Sequence, residues 1–177
     1  MNDAELISDF LNGDKNAFEL LFSRYNREVF YLVKTFVNNT EEAKDITQDA
    51  FIKAFNNLKN LNDRTKFKSW LFTIGVNLAK DRLKMRKKTT DEGLELIRTD
   101  DDPHDNIIKD SLAREVNSAI KKLPERQADV IRLRALDEMS FKEIAQILNI
   151  KETTVRTNFH FAIKGLRDLI FAKEENT

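Results

Sequence analysis

The chain has 177 residues, 41% of them hydrophobic, and its 30 basic and 30 acidic side chains cancel at neutral pH. It has no cysteine, and its two histidines, His104 and His160, lie far apart; this leaves no disulfide framework, no thiolate zinc site and no metal-binding pair, so neither metal nor cofactor is expected. Four glycines and a charged fraction of 34% point to long solvated helices rather than a sheet, and the expected fold class is all-α in one or two small domains. The start, MNDAELISDF, is acidic and amphipathic, without the basic head and apolar core of a secretion signal, and no apolar run reaches membrane-spanning length. A cytoplasmic protein is the expectation.

From the N-terminus, Gly13 closes a first helix. Apolar residues then recur at helical spacing in Phe18, Leu21, Phe22, Tyr25, Val29, Leu32, Val33 and Phe36, and again in Ile46, Ala50, Ile52, Phe55 and Leu58. Asn38-Asn39-Thr40 separates the second helix from the third, with Thr40 as the expected N-cap. Asn60 to Thr65 separates the third from a fourth that runs from Phe67 to about Lys87. Residues 1–90 thus read as one helical domain. RTDDDPHDN reads as an extended, self-repelling stretch within an acidic flexible linker, residues 91–105. Asp105 can cap a further helix carrying Ile108, Leu112, Val116, Ala119, Ile120 and Leu123, which Pro124 ends. Three more helices to Lys173 complete a second domain, residues 106–177. Phe10, Phe22, Phe36 and Phe171 are candidates for interfaces as well as for the core.

Charge is segregated along the chain. Leu61 to Lys88 carries nine basic residues against Asp63 and Asp81, and Asp91 to Asp105 carries seven acidic residues against Arg98 alone. Segregation of this kind marks different partners for different segments, although a solvated surface would also show it. In the basic segment KFKSWLFTIGVNLAKDRLKMRKK, the inward contacts are expected from Trp70, Leu71, Ile74, Leu78 and Leu83. Lys66, Lys68, Thr73, Asn77, Lys80, Asp81, Lys84 and Lys87 occupy other faces. Cations interleaved with Trp70, Phe67 and the Asn77 amide suit a nucleic-acid strand, since cations neutralise phosphates and rings stack on bases. A core position is an equally good reading of Trp70.

The stretch SFKEIAQILNIKETTVRTNFHFAIKGL, Ser140 to Leu166, reads as two short helices around a sharp corner. Ser140 and Glu143 form a capping box that starts the first of them. Ile144, Ala145 and Leu148 form its buried stripe, and Ile150 plugs the corner at Asn149-Ile150-Lys151. Val155, Phe159, Ala162, Ile163 and Leu166 then mark the inward face of the second helix. That leaves Thr154, Arg156, Thr157, His160, Phe161 and Lys164 facing outward, a set suited to base edges and phosphates in a major groove. The alternative is an ordinary helix pair with a polar face; the capping box and short corner favour a helix-turn-helix.

DITQDAFIKAF (Asp45 to Phe55), FKSWLFTIGVNLAKDRLKMRKK (Phe67 to Lys88), an acidic linker, and Leu123 to Arg167 follow one another in an order that resembles the bacterial extracytoplasmic-function sigma factors. The resemblance spans nearly the whole chain. It implies a two-domain sigma subunit that binds core RNA polymerase and directs it to promoter DNA, with catalysis left to the core and no small-molecule substrate. Asp45, Gln48, Asp49 and Phe51 match the helix that docks on the clamp helices of the largest polymerase subunit. Asn62, Arg64, Lys66, Trp70, Asn77, Lys80, Asp81, Arg82 and Lys84 fall where the family engages the melted minus-ten element and captures an unpaired base; Asn62, Arg64 and Lys66 are the candidates for the capture loop. Thr154, Arg156, Thr157, His160, Phe161 and Lys164 fall where it reads the duplex minus-thirty-five element.

Two departures accompany the match. Asn158 and Phe161 stand where the family commonly has basic residues, and Lys151 where it has a hydroxyl cap, so the resemblance implies a weak grip on the upstream element. Phe161 can meet a thymine methyl or a protein surface. The acidic linker resembles the segment that threads toward the active-site cleft and RNA-exit path, and members are commonly held by anti-sigma factors, which adds such a partner to the expectation. Two rival readings compete. A helix-turn-helix regulator acting without polymerase would leave the basic helix and the acidic linker without a role. A helical adaptor that never touches DNA would fit the zero net charge. No Gly-rich phosphate loop or metal-ligand cluster supports an enzyme.

Overall fold

The computed structural model describes residues 1–91, 107–135 and 139–174, with side chains described for 1–86, 115–135 and 139–171. All the secondary structure among them is helical. The chain divides into two compact units, one ending at Asp100 and the other beginning at Asp101.

The first unit has four helices, α1 (Asp3–Leu11), α2 (Asn16–Val37), α3 (Thr40–Asn57) and α4 (Phe67–Asp91), with 3-10 turns at Leu58–Asn60 and Arg64–Lys66 between α3 and α4. Local chemistry sets the boundaries. Asn2 and Glu5 make a reciprocal capping box at the start of α1. Asn38 ends α2 in the left-handed region at φ 52°, where asparagine is tolerated. The cap of α3 is Asn39, not Thr40: the Asn39 carboxamide oxygen accepts from the Glu42 N–H at 2.8 Å, and Thr40 is already helical.

Helix α2 packs against each of the other three. Its buried stripe of Phe18, Leu21, Tyr25, Val29, Leu32, Val33 and Phe36 meets Leu6 and Ile7 of α1, Ile46, Ala50 and Phe51 of α3, and Phe67, Leu71, Phe72 and Val76 of α4. Phe36 therefore belongs to the core, while Phe22 and Phe171 are exposed. The inward side of α4 also differs from expectation. Leu71 is buried as expected, but Trp70, Ile74, Leu78 and Leu83 are only half-buried. Phe67, expected among the rings available for stacking, is fully buried against Tyr25, with centroids 5.7 Å apart.

The second unit has α5 (Ile107–Lys122), α6 (Glu125–Arg134), α7 (Phe141–Leu148) and α8 (Glu152–Glu174). Pro124 stands between α5 and α6, and its carbonyl accepts the Gln127 and Ala128 N–H groups at 2.9 and 3.0 Å. The core joins Ile120, Leu123, Ala128, Ile131 and Ala162, with Val116, Phe159, Leu166 and Leu169 packed around it. Within α6 the Asp129 carboxylate is buried beside Arg132 at 3.5 Å, and burial pushes the Arg132 guanidinium below its ordinary pKa. Apart from Asp91, the last residue of α4, the expected linker and the Asp105 cap lie outside the described residues.

Candidate functional site

Three outward helix faces carry the residues singled out in the sequence. On α3, one turn of 100° per residue places Asp45, Gln48, Asp49, Ile52 and Phe55 on one side. All five are exposed, Ile52 at 51% and Phe55 at 43%. Phe51 is not on that side. It is 4% exposed and turned toward α2, where its ring lies 4.7 Å from Phe22 and 6.5 Å from Phe18. Phe51 is therefore not exposed as a docking anchor; of the two apolar residues on that side, Ile52 is exposed, whereas Phe55 also packs its ring edge-on against Phe10 at 4.9 Å and Phe18 at 5.1 Å. The spacing from Asp45 through Gln48, Asp49 and Ile52 already carried the signal.

On α4 the outward stripe is Trp70, Thr73, Ile74, Asn77, Lys80, Asp81 and Lys84, within roughly 120° of one another around the axis. Asn77, Asp81 and Lys84 are exposed, and Trp70, Thr73, Ile74 and Lys80 are half-buried. Trp70 combines both of its expected roles: its ring packs 6.1 Å from Phe67 while its position faces outward. Arg82 does not join this stripe. It falls on the α3 side with Arg86, and both approach Glu42, at 4.0 Å for Arg82 and 2.5 Å for Arg86. The closer contact is an ion pair and not an aligned hydrogen bond, for Glu42 Oε2 receives none.

The turn before α4 is tied inward as well. Arg64 Nη1 donates to the Ser8 hydroxyl on α1. This bond fastens the loop to α1. Asp63 caps the 3-10 turn through Thr65 N–H at 3.1 Å and pairs with Lys66 at 3.3 Å. Those contacts, the Thr65 hydroxyl first, hold its carboxyl below the usual range. Asn62 and Lys66 remain exposed on this loop. At the start of α4, Lys68 pairs with Glu28 of α2 at 2.5 Å.

On α8, Thr154, Arg156, Thr157, His160, Phe161 and Lys164 are all exposed, Phe161 at 52%. The capping box of Ser140 and Glu143 is present, and Asn149 turns the corner in the left-handed region at φ 52°. Val155 and Ala162 are fully buried and Phe159 and Leu166 half-buried. Ile163 departs from the expected inward face: it is 41% exposed, because 100° per residue carries it past the core toward the edge that holds Arg156. Ile150 is half-buried at the corner. Two side chains of α8 bond back to their own helix, Thr157 Oγ1 to the Thr153 carbonyl at 3.0 Å and Asn158 Nδ2 to the Thr154 carbonyl at 2.9 Å.

The Sigma-70 region 2 family matches residues 21–89, and the Sigma-70, region 4 family matches residues 113–166. The ECF RNA polymerase sigma factor SigW of Bacillus subtilis is 34% identical over 175 residues, covering 91% of this chain and 92% of that protein. The chain belongs to the sigma-70 family as an extracytoplasmic-function sigma factor. As a sigma factor it binds RNA polymerase and directs it to promoters to initiate transcription. The RNA polymerase sigma-H factor of Pseudomonas aeruginosa is 31% identical, with 93% and 91% of the two chains covered. Among solved structures, CnrH in complex with the cytosolic domain of CnrY superposes with a TM-score of 0.74 at 26% identity, covering 96% of this sigma factor and 97% of CnrH. The α3 and α4 faces fall within the region 2 match, and the exposed face of α8 within the region 4 match.

Proposed function

We propose that the two units divide the work of the sigma factor between them. Residues 1–90 dock on core polymerase through the α3 face, with Ile52 as the apolar anchor among Asp45, Gln48 and Asp49 and the exposed part of Phe55, whose ring packs on Phe10 and Phe18, beside it. This arrangement has the apolar centre and polar rim of a specific protein interface. The α4 stripe, with Trp70, Asn77, Lys80, Asp81 and Lys84, engages the melted minus-ten element, and Asn62 and Lys66 border the pocket for an extruded base. Arg64 and Arg82 hold that surface in shape from behind. Residues 106–177 read the duplex minus-thirty-five element through Thr154, Arg156, Thr157, His160, Phe161 and Lys164, and the acidic residues 91–105 thread toward the RNA path.

The observation that carries this reading is the apolar centre on α3, exposed beside carboxylates on the same unit as a cation-bearing, tryptophan-bearing α4 stripe. Each surface alone grips weakly; one polymerase scaffold joins them and makes the contacts additive. Catalysis stays with the core, the protein acts in the cytoplasm, and it needs neither cofactor nor small-molecule substrate. An inhibitory protein covering the same faces is the expected regulator, in keeping with the complex in which CnrH is found with the cytosolic domain of CnrY.

Co-elution with purified core polymerase tests the docking surface. Wild-type protein should co-elute, and Ile52→Asp, at an exposed site, should lose binding by more than tenfold while melting as the wild type does. Undiminished co-elution of Ile52→Asp would remove α3 from the interface.

A further inference from the structure

Arg156, although 60% exposed, is paired within its own helix and stacked on a ring before any partner arrives. Glu152 Oε1 accepts from its Nε at 3.1 Å and its Nη2 at 2.6 Å. Its guanidinium carbon lies 4.8 Å from the centre of the Phe141 ring. That ring is itself fixed. The Arg134 guanidinium lies 5.1 Å from its centre, Arg134 Nη1 donates to the Met139 carbonyl at 2.5 Å, and Phe159 meets the ring edge-on at 5.4 Å. Phe141 is also the first residue of α7, placed by the capping box of Ser140.

A guanidinium has five N–H donors in one plane. Glu152 takes the side edge, the Nε–H and one Nη2–H. The end edge keeps two parallel donors, one on each Nη, which is the pattern that the O6 and N7 atoms of guanine accept in a major groove. The adjacent carboxylate also repels a phosphate, so it suits a base contact and opposes a backbone contact. Biasing so long a side chain toward one pose before binding removes part of the rotamer entropy that a free arginine would lose on contact.

We propose that Glu152 and Phe141 are positioning residues that aim the end edge of Arg156 at one guanine of the upstream duplex. Arg156 is then the base reader of the α8 face, and its selectivity depends on two residues that touch no DNA. This rests on the assignment of α8 to the upstream element.

The test is base preference. Holoenzyme assembled from core polymerase and the full chain is presented with promoters randomised in the upstream element, and the transcribed sequences are counted. The wild type should show a guanine preference at a position that Arg156→Ala flattens. At that position alone Glu152→Ala should lower the preference by roughly tenfold, the discrimination a bidentate pair supplies. Glu152→Gln, which keeps an acceptor oxygen without the charge, should restore part of it. Phe141→Leu should shift the same position in the same direction, with thermal melting confirming that it folds.

If Arg156→Ala flattens no position, α8 does not read bases and the underlying assignment fails. If it flattens one but Glu152→Ala leaves that preference intact, the positioning role alone is overturned. Equal, sequence-independent tightening by Glu152→Ala and Glu152→Gln would also overturn it, since Glu152 would then act only as a counter-charge.

Discussion

The basic segment of the first unit and helix α8 of the other unit are similar strings of cations and hydroxyls, yet they deploy charge differently. Around α4, Arg64 is bonded to Ser8, Lys66 pairs with Asp63, Lys68 with Glu28, and Arg82 and Arg86 turn to Glu42. The outward stripe carries Lys80 and Lys84 beside Trp70 and Asn77. On α8, His160 and Lys164 are exposed, and Arg156 is held at the edge by Glu152 and Phe141. The first unit thus uses much of its positive charge to hold a loop and a helix in place. A run of cations in a sequence records how many there are, and the helical angle decides which of them face outward.

The largest effect should come from separating core from surface on α3. Phe51→Ala should destabilise the first unit by about 3–5 kcal/mol, as removal of a buried ring does. Ile52→Ala, one residue on, should change stability by no more than about 0.5 kcal/mol. Thermal melts of the two variants read this directly, and equal losses would mean that Ile52 also packs in the core.

The anchoring of α1 comes next. Tyr25 donates to Asp3 Oδ2 at 2.5 Å, Arg24 bonds to the other carboxylate oxygen, and Arg24 Nη2 reaches the Met1 carbonyl at 3.0 Å. Burial, reinforced by the Asp3 carboxylate, pushes the Tyr25 hydroxyl well above its ordinary value of 10.0. The folded value is raised, so the stabilisation is complete below the unfolded value and is lost as pH rises through the folded one. Tyr25→Phe should cost about 1–2 kcal/mol at neutral pH and flatten the alkaline loss. Melting curves from neutral to strongly alkaline pH check both.

These two predictions also mark what the sequence could disclose. Helical spacing found the helices of both units, the Ser140 capping box and the Asn149 corner, because those signals are local. It placed Ile52 inward because it is apolar, although its angle on α3 puts it with Asp45 and Asp49; Phe55, at the edge of that side, does pack on Phe10 and Phe18. It placed Phe51 on the surface because the resemblance supplied an aromatic anchor at that point. The bond between Arg64 and Ser8, and the turn of Arg82 toward Glu42, join residues far apart in sequence and depend on how helices pack. No periodicity along one helix could reveal them.

Smaller effects should sharpen the contrast in charge. Each phosphate contact adds about 0.9 to the slope of log affinity against log salt for duplex DNA and about 0.7 for a single strand. Lys84→Ala should shallow the salt dependence of promoter binding by holoenzyme by about one such increment, whereas Arg82→Ala should leave the slope unchanged. Asn158→Arg should steepen the slope by about 0.9, by restoring a cation to the α8 face. Salt titrations of promoter binding measure all three, and a shallower slope in Arg82→Ala would return that residue to the DNA.

Mapping of transcription starts made by purified core polymerase on fragmented genomic DNA, with and without this protein, tests the central claim most directly. The expected result is a set of new discrete starts that share two spaced upstream elements and disappear with Ile52→Asp. An unchanged set of starts, with no co-elution of protein and core, would contradict it.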